Sequence, residues 1–340
     1  MLRCPKFELA TPTSVAAATR LLADAGPSAM ILAGGTDVMP NLKHELFTPA
    51  LVVSLARIPE LNGIRRAEDG SLVIGAMTTI EAVAANSQVR ERATVLAQAA
   101  SLIAGPQLRT MGTLGGNVLL ETRCQWYNQS YFWRQALGFC IKKDGTKCHV
   151  VEGGAKCVAA ASNDSAPALM TLDAELHFES VEGRRSVRIE EFWLGDGVFN
   201  KKINAGEILV EITLPSTPSG HRSAYGKLRE RGSIDFPLLG VAARLDLGKD
   251  ERVERADLVI TALAARPHRV QRAGEILRGT QVGSEDFVTR VGELARLAHK
   301  QCHPLENIPG DAPWRKAMVA VYARRTLLAA AAGTGPVHHL

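Results

Sequence analysis

The N-terminal part of the chain alternates between helical and strand-like hydrophobic patterns. Apolar positions recur at helical spacing over TPTSVAAATRLLADAG, where Pro12 suits a first turn and Gly26 suits a helix end. The short apolar runs SAMILA and LVVSLA predict buried strands on either side of the polar stretch GGTDVMPNLK. We therefore expect a small unit of β-α-β type over residues 1–57.

The middle of the chain combines a hairpin, helices and further strands. An alternating stretch around the turn dipeptide Asp69-Gly70 predicts the hairpin. Helical runs follow at IEAVAANSQVRER and TVLAQAASLIAG, the second of them ended by Gly105-Pro106. The runs APALMTLDAELHFES and GEILVEITLP predict strands, the first after a turn or helix, and PSTPSGHRSAY resembles a linker. These elements define a second predicted unit, residues 58–218.

The last third of the chain has a separate pattern. The strand-like runs LGVAARLDL and ADLVITALAA precede three helical runs, HRVQRAGEILRG, SEDFVTRVGELARLAHK and DAPWRKAMVAVYARRTLLAAAA. A chain of 340 residues is also too long for one comfortable hydrophobic core. We therefore predict an α+β protein whose third domain, residues 219–340, joins a small antiparallel sheet to a helix bundle.

Composition narrows the class of protein. The chain is 46% hydrophobic and 22% charged, and its net charge of +5 comes from interspersed acidic and basic residues, so nucleic-acid binding is not indicated. No apolar run approaches the ~20 residues that cross a bilayer. Lys6 and Glu8 interrupt the N-terminus before the apolar core of a secretion signal could form. We expect a cytoplasmic protein.

Two glycine pairs follow strand-like runs, in AGGTD at residues 33–37 and TLGGN at residues 113–117. Glycine lets the main chain take positive φ and approach a phosphate closely, and Thr36 and Thr113 add hydroxyl groups. Neither pair matches GxGxxG or GxxxxGK[ST], so the motifs do not predict a Rossmann or P-loop site. A single glycine pair is typical of a tight turn, but two pairs together favour a cofactor site.

Five stretches in order resemble the FAD-binding subunit or domain of the molybdenum hydroxylase family, which includes xanthine and carbon monoxide dehydrogenases. They are ILAGGTDVMPNLK, GPQLRTMGTLGGN, SNDSAPALMTLDAEL, GEILVEITLP and YGKLRERGSIDFPLLGVAARL. The resemblance covers nearly the whole chain. It implies FAD as a cofactor and a two-subdomain FAD-binding α/β fold followed by a C-terminal flavoprotein domain.

The resemblance also implies which residues contact FAD. The first glycine loop would surround the pyrophosphate, and the second would contact the same cofactor. For Ile103 and Leu209, plain core packing is an equally good interpretation, whereas the charges of Asp164 and Lys227 would need partners if buried. The implied contacts are Ile31, Leu32, Ala33, Gly34, Gly35, Thr36, Asp37, Val38, Ile103, Thr113, Leu114, Gly115, Gly116, Asn117, Asp164, Leu209 and Lys227.

Against this family pattern, residues 118–162 are an insertion. It contains four of the six cysteines of the chain, Cys124, Cys140, Cys148 and Cys157. Their C-x15-C-x7-C-x8-C spacing fits neither a CxxC zinc ribbon nor the ferredoxin pattern, but four thiolates suffice for one zinc ion or one [4Fe–4S] cluster. Unliganded cysteines, or His149 in place of a thiolate, are the other interpretations.

The charge of the insertion is compatible with bound thiolates. Residues 124–157 carry three more basic than acidic side chains, which favours thiolates and would also attract an acidic electron carrier, although a solvated basic loop has the same composition. The charged residues are Arg134, Lys142, Lys143, Lys147 and Lys156 against Asp144 and Glu152. Cys4 and Cys302 lie far away in the sequence, and we expect them to be structural.

The insertion resembles that of the flavin subunits of 4-hydroxybenzoyl-CoA reductases, in which four cysteines bind a [4Fe–4S] cluster. This resemblance implies an electron path from a donor such as ferredoxin, through the cluster and FAD, to two [2Fe–2S] clusters on a small subunit and molybdenum on a large one. It also implies a dimer of heterotrimers that converts 4-hydroxybenzoyl-CoA to benzoyl-CoA. We expect no catalytic acid, base or nucleophile in this chain.

Two other functions stay open at this point. A flavin subunit that passes electrons outward to NAD, as in a xanthine dehydrogenase-like hydroxylase, fits the FAD motifs equally well but leaves the insertion unexplained. A metal-stabilised nucleic-acid-binding module would use clustered cysteines, lysines and aromatic residues. The second alternative leaves both glycine loops and the downstream motifs unexplained.

Overall fold

The N-terminal part forms a three-stranded parallel sheet with two helices. The computed structural model describes residues 2–338, so residues 1 and 339–340 of the first and last predicted domains lie outside it. The strands are ordered β1-β3-β2, and Ser14 caps α1 by accepting a hydrogen bond from the Ala17 N–H. The elements are β1 (Glu8–Ala10), α1 (Val15–Ala25), β2 (Ala29–Leu32), α2 (Val38–Lys43) and β3 (Leu51–Ser54).

The second part is a five-stranded antiparallel sheet, ordered β4-β5-β8-β6-β7, whose buried side chains form one hydrophobic core with residues of its helices. The first two helices of this part are short, because a capping residue stands between them. The elements are β4 (Ile64–Arg66), β5 (Leu72–Gly75), α3 (Ile80–Ala85), α4 (Ser87–Arg92), α5 (Thr94–Ser101), α6 (Pro106–Arg109), α7 (Leu114–Val118), α8 (Tyr131–Ala136), α9 (Ser165–Thr171), β6 (Glu175–Ser180), β7 (Gly183–Arg188) and β8 (Ile208–Leu214).

The C-terminal part is a four-stranded antiparallel sheet, ordered β12-β11-β10-β9, covered by α11 and α12. Within residues 2–338, no helix is both long enough and apolar enough to cross a membrane. The elements are β9 (His221–Leu228), β10 (Leu239–Leu247), β11 (Val253–Thr261), β12 (His268–Arg269), α10 (Ala273–Leu277), α11 (Glu285–Gln301) and α12 (Ala312–Ala332).

Three elements differ from the sequence prediction. The helical run over residues 80–92 is two helices, since Asn86 is extended and caps α4 by accepting a hydrogen bond from Val89 N–H. Strand β9 begins at His221, inside the predicted linker, because its residues pair along the whole length of β10. The helical run from His268 shortens to α10, because its first residues pair with β11 instead.

The segment 118–162 leaves the fold after α7 and returns before α9. Its two ends are joined where Arg123 and Ala160 exchange N–H···O=C hydrogen bonds of 2.7 Å in both directions. Beyond this pair, Tyr127 and two of the cysteines pack with Leu46, which lies just after α2. Main-chain hydrogen bonds therefore hold the two ends of the segment together, and the segment packs against the N-terminal unit.

Candidate functional site

The two glycine loops meet face to face. The first runs from the end of β2 to α2, and the second enters α7, which Thr113 caps by accepting a hydrogen bond from Gly116 N–H at 3.1 Å. A Cβ on Gly34 would lie 1.8 Å from the main-chain oxygen of Met111. A Cβ on Gly115 would lie 2.8 Å from the main-chain oxygen of Ala76, the residue after β5. Only glycine fits at either contact, because main chain from another segment comes too close for a side chain.

The loops line a cavity of ≈ 630 Å³. This volume lies within the range of about 300–1,000 Å³ typical of small-molecule and cofactor sites. Because several of the lining residues are glycines, part of the wall is main chain, which suits close approach to a phosphate. The predicted contacts on the wall are Ile31, Ala33, Gly34, Gly35, Thr36, Asp37, Val38, Ile103, Thr113, Gly115, Gly116, Asn117, Asp164 and Leu209.

Three predicted contacts, Leu32, Leu114 and Lys227, do not line this cavity. Leu32 is the last residue of β2, and successive side chains of a strand point to opposite faces. Leu114 is fully buried in the hydrophobic core between the five-stranded sheet and its helices. Lys227 lies behind the wall, where it binds Asp164.

Asp164 and Lys227 form a buried ion pair at the floor of the cavity. The Lys227 Nζ donates to Asp164 Oδ2 at 3.1 Å and to the carbonyl oxygens of Leu102 and Asp235 at 2.9 and 3.1 Å. The hydroxyl of Tyr225 donates to Asp164 Oδ1 at 2.8 Å. Burial raises the pKa of the Asp164 carboxyl, and the neighbouring ammonium and hydroxyl act against that rise. One cation thus holds two residues that line the cavity, Asp164 and Asp235.

Sequence reasoning missed Arg123, Glu121 and Phe236, all of which line the cavity. Arg123 makes an ion pair with Asp37 of the first glycine loop, and its guanidinium lies 4.1 Å from the ring centroid of Phe236. Glu121 and Arg123 lie at the start of the insertion, and Phe236 lies more than one hundred residues further along the chain. The one available signal was that Arg123 immediately precedes Cys124, which places the start of the insertion at the cavity.

The four cysteines of the insertion differ in burial. Cys124, Cys140 and Cys157 are buried, whereas Cys148 is half-buried. Burial, to which the charges of the neighbouring Cys157 and Cys140 thiols add, raises the pKa of the Cys124 thiol to about 11. Within the part of the chain that the structure describes, no three His, Cys, Asp or Glu side chains are arranged to hold a metal ion as they stand.

The chemistry of this donor set still fits an iron–sulfur group. Main-chain N–H groups point at two of the sulfur atoms, from Val150 and Val151 to Cys148 and from Ala159 to Cys157, each at 3.4 Å. Such hydrogen bonds to sulfur are one of the ways in which proteins tune these clusters. Four soft thiolates suit iron–sulfur clusters or zinc.

His149 is engaged elsewhere. Its Nε2 lies 2.7 Å from the carbonyl oxygen of Phe139, and its ring stacks on Trp126 with centroids 5.4 Å apart. A carbonyl oxygen only accepts, so this nitrogen donates the hydrogen bond. His149 would have to break that bond before Nε2 could replace a thiolate.

The arrangement is that of a flavoprotein, with a main-chain-lined cavity between two α/β subdomains. Residues 5–217 match the model of the FAD binding domain in molybdopterin dehydrogenase, and residues 223–330 match the CO dehydrogenase flavoprotein C-terminal domain. The chain belongs to the family of FAD-binding medium subunits of the molybdenum hydroxylases. FAD, when bound, supplies both one- and two-electron transfer, while the protein binds and orients it.

Relatives match along most or all of the chain. The carbon monoxide dehydrogenase medium chain of Hydrogenophaga pseudoflava is 30% identical over 96% of this chain and 97% of its own. The xanthine dehydrogenase FAD-binding subunit of Escherichia coli O157:H7 is 34% identical over 76% of this chain and 75% of its own. A solved structure of carbon monoxide dehydrogenase from Hydrogenophaga pseudoflava superposes with a TM-score of 0.80 at 28% identity. The match covers 98% of this chain and 100% of that chain. These matches confirm the predicted fold class and the flavoprotein assignment.

Proposed function

We propose that this chain is the electron-transfer flavin subunit of a reductase within the family. Electrons would come from a ferredoxin-like donor through a [4Fe–4S] cluster held by Cys124, Cys140, Cys148 and Cys157, and then through FAD to partner subunits. The observation that carries the proposal is the segment 118–162, which contains four cysteines, contributes Glu121 and Arg123 to the wall of the cavity and leaves both glycine loops intact.

The position of the segment supports electron exchange with the flavin. Glu121 and Arg123 line the cavity, and Cys124 follows directly. Three of the four thiols are buried, which would shield a cluster from water.

We extend the proposal to the whole enzyme on the resemblance of the insertion to that of 4-hydroxybenzoyl-CoA reductases. The overall reaction would take 4-hydroxybenzoyl-CoA, two electrons and two protons to benzoyl-CoA and water. The partners would be a molybdenum-cofactor-binding large subunit and a small subunit with two [2Fe–2S] clusters, in a dimer of heterotrimers. The substrate chemistry would take place on the large subunit, so this chain alone should not turn over the thioester.

The names of the relatives favour a second candidate. Carbon monoxide and xanthine dehydrogenases are oxidative enzymes, so the chain would in that case receive electrons and pass them outward to NAD or another acceptor. The two functions differ in the redox partner. Reduction of the assembled enzyme by a low-potential ferredoxin supports the first, and rapid reduction of NAD by the substrate-reduced enzyme supports the second.

The decisive experiment pairs two cysteine variants, purified anaerobically in the assembled enzyme. Cys140→Ser replaces a soft thiolate by a poorer iron ligand, so we expect near-normal FAD but loss of most iron and sulfide. Cys302→Ser is the matched control, because Cys302 is equally buried but lies in the C-terminal core. The Cys140 variant should also lose reduction by ferredoxin more than reduction by a dye that reaches the flavin directly.

Two results would refute the proposal. One is zinc in place of iron in the wild-type protein after anaerobic purification. The other is an unchanged iron content in the Cys140→Ser variant, which would remove that thiol from the ligand set.

A further inference from the structure

Lys142 is a buried cation that the flavin site does not use. Its side chain is 4% exposed, and its Nζ donates to Glu121 Oε2 at 2.8 Å, Thr122 Oγ1 at 2.7 Å and the carbonyl oxygen of Gly197 at 2.6 Å. The ammonium also lies 4.8 Å from the ring centroid of Tyr127. All three N–H donors of the ammonium are therefore satisfied without water.

The contacts of Lys142 reach toward both redox sites. On one side, Glu121 lines the flavin cavity. On the other side, Gly197 packs directly on Cys157: its N–H donates to the Cys157 carbonyl at 2.8 Å, and a Cβ there would lie 2.7 Å from the Cys157 Sγ. Lys142 itself is two residues from Cys140. The ammonium thus contacts a residue of the cavity wall, Glu121, and a residue that packs on Cys157, Gly197.

The local charge balance is positive. Glu121 accepts from Lys142 and also from Lys201, whose Nζ lies 3.4 Å from Glu121 Oε1. Burial raises the pKa of the Glu121 carboxyl, but the two ammonium groups outweigh that effect and lower it, so this carboxylate is ionised.

Burial of a lysine ammonium costs free energy, so packing alone does not explain why Lys142 is buried here. Taking an ammonium out of water costs several kcal/mol, and one carboxylate shared with a second lysine compensates it only in part. The segment is already pinned by main-chain hydrogen bonds at Arg123 and Ala160. The excess positive charge instead lies where an electron that enters the proposed cluster would add negative charge.

We propose that Lys142 is a positioning residue for electron entry, whose buried ammonium stabilises the reduced form of the iron–sulfur group and so raises its reduction potential. The inference rests on the proposed function. In the step concerned, a small iron–sulfur donor protein would give up one electron and be oxidised, and a cluster held by the four thiolates would take that electron and become one unit more negative. Glu121 opposes the stabilisation, since its carboxylate adds negative charge at the same place.

The test compares reduction potentials in the assembled enzyme by anaerobic redox titration, following the cluster by electron paramagnetic resonance. Lys142→Met should shift the cluster potential downward and Glu121→Gln should shift it upward. Lys142→Arg keeps the charge and should restore most of the potential. Lys143→Met is the matched control, because the neighbouring side chain is 39% exposed, where an effective dielectric constant near 80 instead of ~20 makes its effect about fourfold weaker.

Each outcome decides the question. Opposite shifts for Lys142→Met and Glu121→Gln, both larger than that of Lys143→Met, support the inference. Equal potentials in all iron-loaded variants overturn it, even if Lys142→Met is less stable to heat. If Lys142→Met retains no iron, Glu121→Gln decides alone, and an unshifted potential overturns the inference. An iron-free wild-type enzyme instead refutes the proposed function.

Discussion

Replacing Gly34 by alanine should separate the two glycine loops and weaken FAD binding. The added Cβ would lie 1.8 Å from the Met111 carbonyl oxygen and 2.6 Å from its carbon. Since carbon and oxygen atoms come no closer than about 3.3 Å, the loops would have to move apart by roughly 1.5 Å. The obstacle is main chain on both sides, so no side-chain rotation can relieve it.

The magnitude follows from the cost of overpacking, which is typically about 1–3 kcal/mol. If that cost falls on the FAD-bound arrangement of the loops, the affinity for FAD drops about 5- to 150-fold. We would measure FAD binding to the apoprotein by quenching of flavin fluorescence. Gly292→Ala is the control, because this glycine lies within α11 and a Cβ there meets only the end of Arg296 at 3.7 Å.

Gly292→Ala should bind FAD normally and gain about 1 kcal/mol of stability from its higher helix propensity. The reasoning fails if Gly34→Ala binds FAD within twofold of the wild type. It also fails if both alanine variants lose FAD to the same extent, since the loss would then have nothing to do with the contact between the loops.

Three further variants test other parts of the site and fold. Gly35→Val should lower the FAD content after purification, because φ at Gly35 is +75°, a conformation that a β-branched residue rarely adopts. Lys227→Met should lower the free energy of unfolding by about 3–5 kcal/mol, measured with urea, because it leaves the Asp164 carboxylate buried without its cation. Burial raises the pKa of Asp246, but hydrogen bonds from His221 and Arg244 overcome this and hold it at about 2. The stability that this lowered pKa contributes is present above pH ~4 and should be lost as pH falls toward 2. Asp246→Asn should therefore flatten the profile of unfolding against acid pH.

The glycine loops were predictable because their chemistry is local. A glycine pair after a strand is visible in the sequence, and residues on either side of each pair line the same cavity. The strands LGVAARLDL and GEILVEITLP were predicted for the same reason, as each carries its own hydrophobic pattern. Strand β9 was not, because its polar N-terminal residues become a strand only by pairing with β10.

Contacts between distant segments were not predictable from the pattern. Lys227 resembled a cofactor contact in the sequence, but its place behind Asp164 depends on how β9 packs against the helices. Lys142 counted only as one of several basic residues in the insertion. Its burial, and its hydrogen bond to Gly197, depend on a loop more than fifty residues further along the chain.

The structure also suggests why the cysteine segment and the flavin site should fold separately while staying coupled. Two of the contacts between them are charged: Arg123 pairs with Asp37, and Lys142 holds Glu121 at the cavity wall. Cys140 is part of neither contact. On the proposed function, loss of the Cys140 thiol should therefore remove bound iron and leave the cavity wall in place, whereas loss of Arg123 should disturb the first glycine loop directly. Electron transfer between the proposed cluster and FAD would then depend on these charged residues. The cysteines would decide only whether a cluster is present.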